Sequence, residues 1–408
     1  MTTLLAAAYS AIPFPYDWSR FPAAWFGANA TSFENATQLD AIGRYSMAVF
    51  GWQHLITATN WTAAVYAQLD QAAVVKERHP DLHVFVYTGF GNADGYNAAA
   101  WEILHTASDG CSGHQPCRAV AEPYRDWVLE TDSVPVYSMS ACEQMGLGYR
   151  DPPTDRCWNA IWNLGNASMR DFFVNRIIAP LAQAPFIDGV FFDCFNFAYD
   201  LPSPWSRHAT NVPNCTQAGG AGCEALLAGT LDLARRVALS LNAHGKVPIF
   251  SNPASFANPK PHAPFWLDEA RLLKALEGTD YLFNYEFVRA EQLSSSGQLP
   301  NLLQESKLGV PMGVHTYLNS ATEDPTPHAA AFLLFREAHW YFFASTGWLD
   351  GDWKWSEAFD RLGACGRPLG AAVGVPAPVV YTRAYEGCRV ALNCTNASQC
   401  VATVEMSI

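Results

Sequence analysis

Two carboxylates stand at the ends of apolar segments and could act as a pair. Asp193 follows the run Val190–Phe192, and Glu286 ends the segment 281–286. Short apolar runs are typical of parallel strands that are covered on both faces. In a strand–helix barrel, the residues at the carboxyl ends of such strands lie where active sites assemble. Two acids that meet there could hydrolyse a glycosidic bond, one protonating the leaving oxygen and the other attacking the sugar or activating water.

We assign Asp193 as the nucleophile or base and Glu286 as the acid. Their separation would decide the stereochemistry, because carboxyl groups about 5 to 5.5 Å apart retain the anomeric configuration and those roughly 6.5 to 9.5 Å apart invert it. Asp188 lies at the opposite end of the same segment, where a structural role is expected. The alternative for Asp193 is a carboxylate that caps the following loop or helix.

Further candidates for binding a sugar lie at or near the ends of other apolar segments. Polar groups there could bind sugar hydroxyls, and tryptophan rings could stack on the face of a sugar. The alternatives are a histidine that only lines the pocket wall and tryptophans that belong to the core. Asp350 and Asp352 lack the rest of a calcium loop, so we predict neither a metal nor another cofactor. The predicted substrate-binding residues are Trp52, Tyr87, Asn196, Asn252, His315, Trp348 and Asp352.

Apolar runs alternate with helical patterns along most of the chain, which predicts a parallel sheet built from strand–helix units. Clear amphipathic patterns are predicted to form helices, among them 61–78, 168–182, 225–242, 269–276 and 327–339, with a further helix near 123–130. Eight units would close a barrel. The predicted strands are 23–27, 46–52, 83–87, 190–192, 247–251, 281–286, 310–315 and 340–344.

The predicted fold is an α/β (β/α)8 TIM barrel with loop insertions and a small C-terminal antiparallel β appendage. The barrel is expected to span 13–368, with cysteine-rich insertions at 90–166 and 195–223. A connection as long as the first insertion is either functional or a subdomain, and because it follows a strand at the carboxyl face it would cover or wall the pocket. The appendage, 369–408, has strand patterns at 379–381, 389–392 and 401–404 and no helical pattern.

Composition excludes several classes of protein. The chain is 50% hydrophobic and only 15% charged, which indicates a globular fold and not a disordered one. A net charge of -13 leaves no basic stripe to neutralise phosphates, so nucleic acid is not an expected partner. The sequence has no run of 18 apolar residues, so we predict no membrane span. The expected partner is a carbohydrate substrate, and the oligomeric state stays open.

Cysteines and glycosylation motifs predict secretion. Eleven cysteines, several in close pairs, favour disulfides in an oxidising compartment, and their odd number leaves a free thiol, for which Cys194 is the candidate. The segment Leu4–Ile12 is a short apolar stretch without a preceding basic residue, as in a truncated or poorly formed signal. The close pairs are Cys111 with Cys117, Cys142 with Cys157, Cys215 with Cys223 and Cys394 with Cys400. The glycan acceptors are Asn29, Asn35, Asn60, Asn166, Asn214, Asn393 and Asn396.

Two motifs resemble those of TIM-barrel glycoside hydrolases related to endo-α-1,4-polygalactosaminidases and of uncharacterised glycosyl hydrolase-like families. They are Asp-Gly-Val-Phe-Phe-Asp at 188–193 and Asn-Tyr-Glu at 284–286. The segments 368–370, 381–387 and 390–393 are similar to the closing strands of the uncharacterised members. The resemblance implies a catalytic aspartate after the fourth strand and a glutamate on a later strand, matching Asp193 and Glu286. The two insertions depart from the family pattern.

Two other functions remain alternatives. A carbohydrate-binding barrel without catalysis would keep an aromatic cleft but lack a working acid, and the pair of Asp193 and Glu286 argues against it. A metal-dependent hydrolase would use His315 with the loop that holds Asp350 and Asp352. The sequence therefore predicts a secreted glycoside hydrolase, and it leaves open the sugar, the linkage and the stereochemical outcome.

Overall fold

The structure is a computed structural model of the chain. One predicted substrate-binding residue, Asn196, lies outside the described residues, as do Cys194, most cysteines of the insertions, and the glycan acceptors Asn60, Asn214 and Asn396. The structure describes residues 12–52, 54–55, 64–94, 97–105, 124–131, 134–135, 137–138, 159–193, 195, 221–252, 269–286, 288–294, 298–353, 355–376, 379–395 and 399–407.

Strands form a closed parallel barrel and a separate antiparallel sheet. The barrel order is β1-β13-β12-β11-β10-β9-β3-β2, and every neighbouring pair is parallel. This confirms the predicted fold class, including all eight predicted barrel strands. The strands, numbered along the described chain, are β1 (Ala23–Gly27), β2 (Met47–Phe50), β3 (His83–Gly89), β4 (Asn92–Asp94), β5 (Glu130–Thr131), β6 (Val134–Pro135), β7 (Tyr137–Ser138), β8 (Asn159–Ile161), β9 (Gly189–Asp193), β10 (Val247–Ser251), β11 (Leu282–Tyr285), β12 (Met312–Tyr317), β13 (Trp340–Ser345), β14 (Val373–Pro376), β15 (Val379–Ala384), β16 (Cys388–Cys394) and β17 (Cys400–Met406).

Helices follow most of the barrel strands, and two predicted helices are corrected. The helix expected at 327–339 ends at Leu333. The amides of Leu334 and Phe335 then donate to carbonyl oxygens three residues earlier, and His339 takes a left-handed φ of 61°. The helix expected near 123–130 is one 3-10 turn, Arg125–Trp127. The α-helices of the described chain are Ala36–Ile42, Ala64–Arg78, Ala98–His105, Ala167–Phe172, which continues through a π-helical turn Phe173–Ile178 into Ala179–Gln183, and then Ala221–Asn242, Glu269–Ala275, Gln298–Leu308, Thr326–Leu333 and Glu357–Gly363.

Side chains at the amino end of the barrel close its lower opening. Phe14 packs on His83, with ring centroids 4.0 Å apart, and edge-on against Phe85. Asp188, which precedes β9, accepts a hydrogen bond from the Val84 amide and pairs with Lys76, both at 2.7 Å. This end of the barrel is therefore held by packing and by a local ion pair, and Asp188 has a structural partner there.

The C-terminal sheet packs on the barrel through buried polar contacts. Its order is β14-β15-β16-β17, with antiparallel pairing throughout. Arg383, 2% exposed, donates to the carbonyl oxygens of Leu334 and Arg336 and pairs with Glu337. Disulfides join Cys365 to Cys388 and Cys394 to Cys400, and the second is a pair that the sequence spacing predicts. Cys223 is also disulfide-bonded. No described helix is long and apolar enough to cross a membrane.

Candidate active site

Aromatic rings fill the barrel interior below its carboxyl end. Phe26 on β1 lies 5.0 Å from Phe191 on β9, measured between ring centroids, although β2 and β3 separate these strands in the barrel. Such a contact requires that both rings point inward. Phe26 also packs edge-on against Trp348, at 4.7 Å, in the loop after β13. Because side chains alternate along a strand, Asp193 shares the inward face of β9 with Phe191, two residues nearer the open end.

Asp193 is the last residue of β9 and is held by a tyrosine. It is half-buried, and the Tyr87 hydroxyl donates to its Oδ2 at 2.8 Å. Tyr87 pairs with Phe191 in the β3–β9 register and stacks on it, so its hydroxyl reaches up to the carboxylate. A hydrogen bond of this kind favours the ionised form of the acid that receives it. Tyr87, predicted from the sequence to bind substrate, therefore also orients the candidate nucleophile.

Glu286 follows β11 and is held by residues of β10. It is 9% exposed, and its Oε1 accepts a hydrogen bond from the Ser251 hydroxyl at 3.2 Å. Asn284 Nδ2 donates to Ser251 Oγ, also at 3.2 Å, and Ser251 pairs with Asn284 in the register of the two strands. Ser251 and Asn284 were not predicted from the sequence as site residues. Side chains alternate along a strand, so a residue two positions from an inward-facing residue also points inward. This spacing could have identified both residues.

Asn252 fixes the backbone of Glu286 from a strained position. Its φ is 46°, in the left-handed region that residues other than glycine seldom adopt. The Asn252 amide donates to the Asn284 carbonyl at 2.7 Å, and its Oδ1 accepts from the Glu286 amide at 3.0 Å. Strain at such positions clusters at functional sites.

His315 is buried in the wall of the site. Its Nε2 lies 2.9 Å from Ser345 Oγ, and its ring stacks on Trp353 at a centroid distance of 5.4 Å. Burial lowers the pKa of His315 to about 3, so the ring is neutral at ordinary pH. Trp348 lies beside it, half-buried, with ring centroids 5.0 Å apart. The structure thus brings His315 and Trp348 together, and it adds Trp353, which the sequence analysis did not select.

The other two predicted substrate-binding residues in the described chain are Asp352 and Trp52. The Asp352 carboxylate accepts hydrogen bonds from Thr346 Oγ1 at 3.2 Å and from the Leu349 amide at 2.9 Å, so it closes the loop that carries Trp348. Trp52 lies just beyond β2 and is 9% exposed.

The described part of the chain contains no cluster of side chains suited to binding a metal ion. No three His, Cys, Asp or Glu residues are grouped there so that they could hold a metal ion. His315 and Asp352, which the metal-dependent alternative would use together with Asp350, make the separate contacts given above. The geometry instead places two carboxylates, Asp193 and Glu286, at the carboxyl ends of strands that are separated only by β10.

Comparisons with known proteins leave the function to be argued from the site. No protein-family model matches the chain, and no curated protein sequence is similar to it. The resemblance to polygalactosaminidase-related families therefore stays an expectation from short motifs. Solved structures with similar architecture include Eubacterium rectale Amy13B (9% identity, TM-score 0.47, covering 95% of this chain and 89% of that chain). Others are the cyclic α-maltosyl-(1→6)-maltose hydrolase of Arthrobacter globiformis (11%, 0.46, 93% and 91%) and the sucrose 6F-phosphate phosphorylase of Thermoanaerobacter thermosaccharolyticum (9%, 0.45, 95% and 97%). Because these TM-scores are below 0.5, the barrel assignment rests on the strand pairing of this chain.

Proposed function

We propose that the chain is a glycoside hydrolase in which Asp193 is the nucleophile or base and Glu286 is the proton donor. The observation that carries this proposal is the placement of both acids at the carboxyl end of one barrel, on strands flanking β10. Adjacent strands lie about 4.8 Å apart, so two spacings separate the backbones of β9 and β11 by roughly 10 Å. Carboxyl groups that point inward from these strands lie closer together than the backbones, which brings their separation toward the distances between catalytic carboxyl groups in glycosidases.

The neighbours of each acid support its role. The Tyr87 hydroxyl stabilises negative charge on Asp193, as a nucleophile or base requires. Glu286 is more buried than Asp193, and burial favours the neutral form of a carboxyl group, which a proton donor requires. Ser251 and Asn252 fix the Glu286 side chain and backbone separately.

Either stereochemical route is chemically complete with these two groups. In the retaining route, Asp193 attacks the anomeric carbon while Glu286 gives its proton to the departing oxygen, and Glu286 then removes a proton from the water that cleaves the glycosyl ester. In the inverting route, Asp193 removes the proton from a water that attacks directly. Measuring the anomer first released, by nuclear magnetic resonance, would distinguish the two routes.

Secretion is part of the proposal. The disulfides Cys365–Cys388 and Cys394–Cys400 and the bonded Cys223 support an oxidising compartment. Two glycan acceptors in the described chain, Asn35 and Asn393, are exposed, as glycosylation requires.

The test is release of reducing ends from a panel of polysaccharides by the purified chain and by acid-to-amide variants. We expect Asp193→Asn and Glu286→Gln each to lose at least about 100-fold in rate, since each removes one half of the acid–base pair. Asp171→Asn and Glu224→Gln are matched controls, because both acids are exposed and their ion pairs contribute little to stability.

Two results would reject the assignment. Unchanged turnover in both Asp193→Asn and Glu286→Gln would exclude these acids as the catalytic pair. Binding of a polysaccharide without turnover by the wild-type chain would favour the carbohydrate-binding alternative.

If the enzyme is retaining, azide should restore cleavage to Asp193→Ala by attacking the same carbon, giving a glycosyl azide of inverted configuration. The same azide product of retained configuration would assign the nucleophile to another residue.

A further inference from the structure

The outer face of the C-terminal sheet carries exposed valines set among polar residues. Strand register places one residue from each strand in a single row, Val375, Val380, Asn393 and Val401. Val375 is 50% exposed and Val401 is 61% exposed. Because paired residues in antiparallel strands point to the same side, the whole row faces solvent.

A second row lies beside the first on this face, displaced by two residues along the strands. Its members are Val373, Thr382, Ala391 and Thr403, and Val373 is 70% exposed. Val373 and Val375 lie on β14, which pairs with β15 on one side and is an edge strand of the sheet. Exposed apolar faces beside an open edge strand promote association with other chains unless something covers them.

Asn393 lies between two of these valines in the strand register and begins an acceptor for N-linked glycans. The motif is Asn393-Cys394-Thr395. Asn393 pairs with Val380 on one side and with Val401 on the other. Its side chain is exposed and makes no hydrogen bond to any described residue. By contrast, Asn166 is partly buried, and its Nδ2 points to the Asp126 carbonyl at 3.4 Å.

We propose that Asn393 carries an N-linked oligosaccharide whose first sugar lies over Val380 and Val401 and covers this face of the sheet. The proposal goes beyond the hydrolase activity and rests only on the proposed secretion. In the modification, Nδ2 of Asn393 attacks C1 of the first sugar of a lipid-linked oligosaccharide diphosphate. The new N–C1 bond forms as the C1–O bond to the diphosphate breaks, Nδ2 loses a proton, and the lipid diphosphate leaves.

The physical reason is that a pyranose has a face of C–H groups and a rim of hydroxyls. The C–H face can remove the flanking valines from water, while the hydroxyls keep the sheet soluble. An oligosaccharide rooted at Asn393 would also obstruct pairing of another strand along β14, two strands away. The glycan would therefore take the place that a partner protein or a second copy would otherwise fill.

The experiment uses the full chain secreted by eukaryotic cells behind a heterologous signal segment. Glycan removal by an amidase in heavy-oxygen water, followed by peptide mass spectrometry, identifies each occupied asparagine. Thr395→Ala deletes the acceptor at Asn393, and Thr37→Ala deletes the one at Asn35 while leaving the Asn35 helix cap in place. We expect Asn393 to be occupied in the wild type. Thr395→Ala should increase the fluorescence of a hydrophobic dye on the order of threefold and promote self-association, whereas Thr37→Ala should change neither.

A second variant separates surface exposure from misfolding. Adding Val401→Lys to Thr395→Ala should return dye binding and the oligomeric state to those of the wild type, because it makes the uncovered face polar. An unmodified Asn393 would overturn the proposal, whether or not other acceptors are occupied. An unmodified chain that dimerises through this sheet, with Val401→Lys breaking the dimer, would assign the face to a second copy. Occupancy at Asn393 without any change in dye binding after its removal would also reject the covering role.

Discussion

Asn252 provides a direct stability test of the site geometry. Its φ of 46° lies in the left-handed region, which costs alanine about 1 to 2 kcal/mol and costs asparagine less, because the short polar side chain of asparagine can form local hydrogen bonds. Asn252→Ala also removes the acceptor of the Glu286 amide hydrogen, which is worth about 1 to 3 kcal/mol at a buried position. We therefore expect Asn252→Ala to lower the free energy of unfolding by about 2 to 5 kcal/mol.

Asn252→Gly separates the two effects. Glycine adopts the left-handed conformation without steric strain, but it loses the hydrogen bond and gains freedom in the unfolded chain. The glycine variant should therefore be more stable than the alanine variant by about 0.5 to 1 kcal/mol and less stable than the wild type. Urea unfolding followed by tryptophan fluorescence measures all three proteins under the same conditions. Ser251→Ala is a comparison variant, because it removes the side-chain contacts of Ser251 to Glu286 and Asn284 and leaves the backbone contact of Glu286 to Asn252 in place.

The activity of these variants extends the test to the proposed chemistry. If Glu286 is the proton donor, kcat should fall in Asn252→Gly and in Ser251→Ala, since each loosens a different part of Glu286. An alanine variant within about 0.5 kcal/mol of the wild type would refute the structural argument, because changes of that size are usual for uninvolved surface positions. A glycine variant less stable than the alanine variant would show that the left-handed backbone at Asn252 is not a feature of the folded protein.

Three further predictions concern other parts of the site. Tyr87→Phe should lower kcat/KM roughly 10- to 100-fold, since it removes a hydrogen bond to a charged carboxylate, and unchanged kinetics would contradict that role. Burial lowers the pKa of His315 to about 3. The neutral His315 ring therefore makes its full contribution to the free energy of unfolding above pH 6.5. That contribution is lost as the pH falls toward 3, by at most about 1.4 kcal/mol per pH unit. His315→Gln should flatten the dependence of unfolding free energy on pH in that window, and an unaltered slope would be inconsistent with a neutral buried ring. Asp352→Ala should raise KM more than it lowers kcat and should change the fluorescence of Trp348, because it releases the loop that Asp352 closes. A fall in kcat with KM unchanged would instead assign Asp352 to the chemical step.

The barrel was predictable because its signals are local. Runs such as Val190–Phe192 are apolar without alternation, which is typical of strands covered on both faces. Each of the eight was found within a few residues of its expected place. The short helix Ala36–Ile42 was missed, although Asn35 and Gln38 form a capping box that the sequence contains. The helix is too short to show the periodicity of apolar residues that predicts longer helices, so its capping box was the better signal.

Other features depend on register and pairing that no local pattern contains. Ser251 meets Glu286 only because β10 and β11 pair at Ser251 and Asn284. The disulfide between Cys365 and Cys388 spans 23 positions, and cysteine spacing alone does not determine such a pairing. The left-handed backbone of Asn252 is likewise a product of the folded environment, since asparagine only permits that conformation and does not require it.

The packed interior restricts where a carbohydrate can bind. Phe191 contacts Phe26, and Phe26 contacts Trp348, inside the barrel, so a sugar bound by the proposed site would lie above these rings. That height is where β9 ends at Asp193 and where Glu286 follows β11. The insertion at 90–166, which the sequence predicts to cover or wall the pocket, follows β3, and β3 ends at this rim. The insertions after β3 and β9 leave the barrel at this end, so exchanging them should alter substrate choice while the chemistry of the two acids is retained.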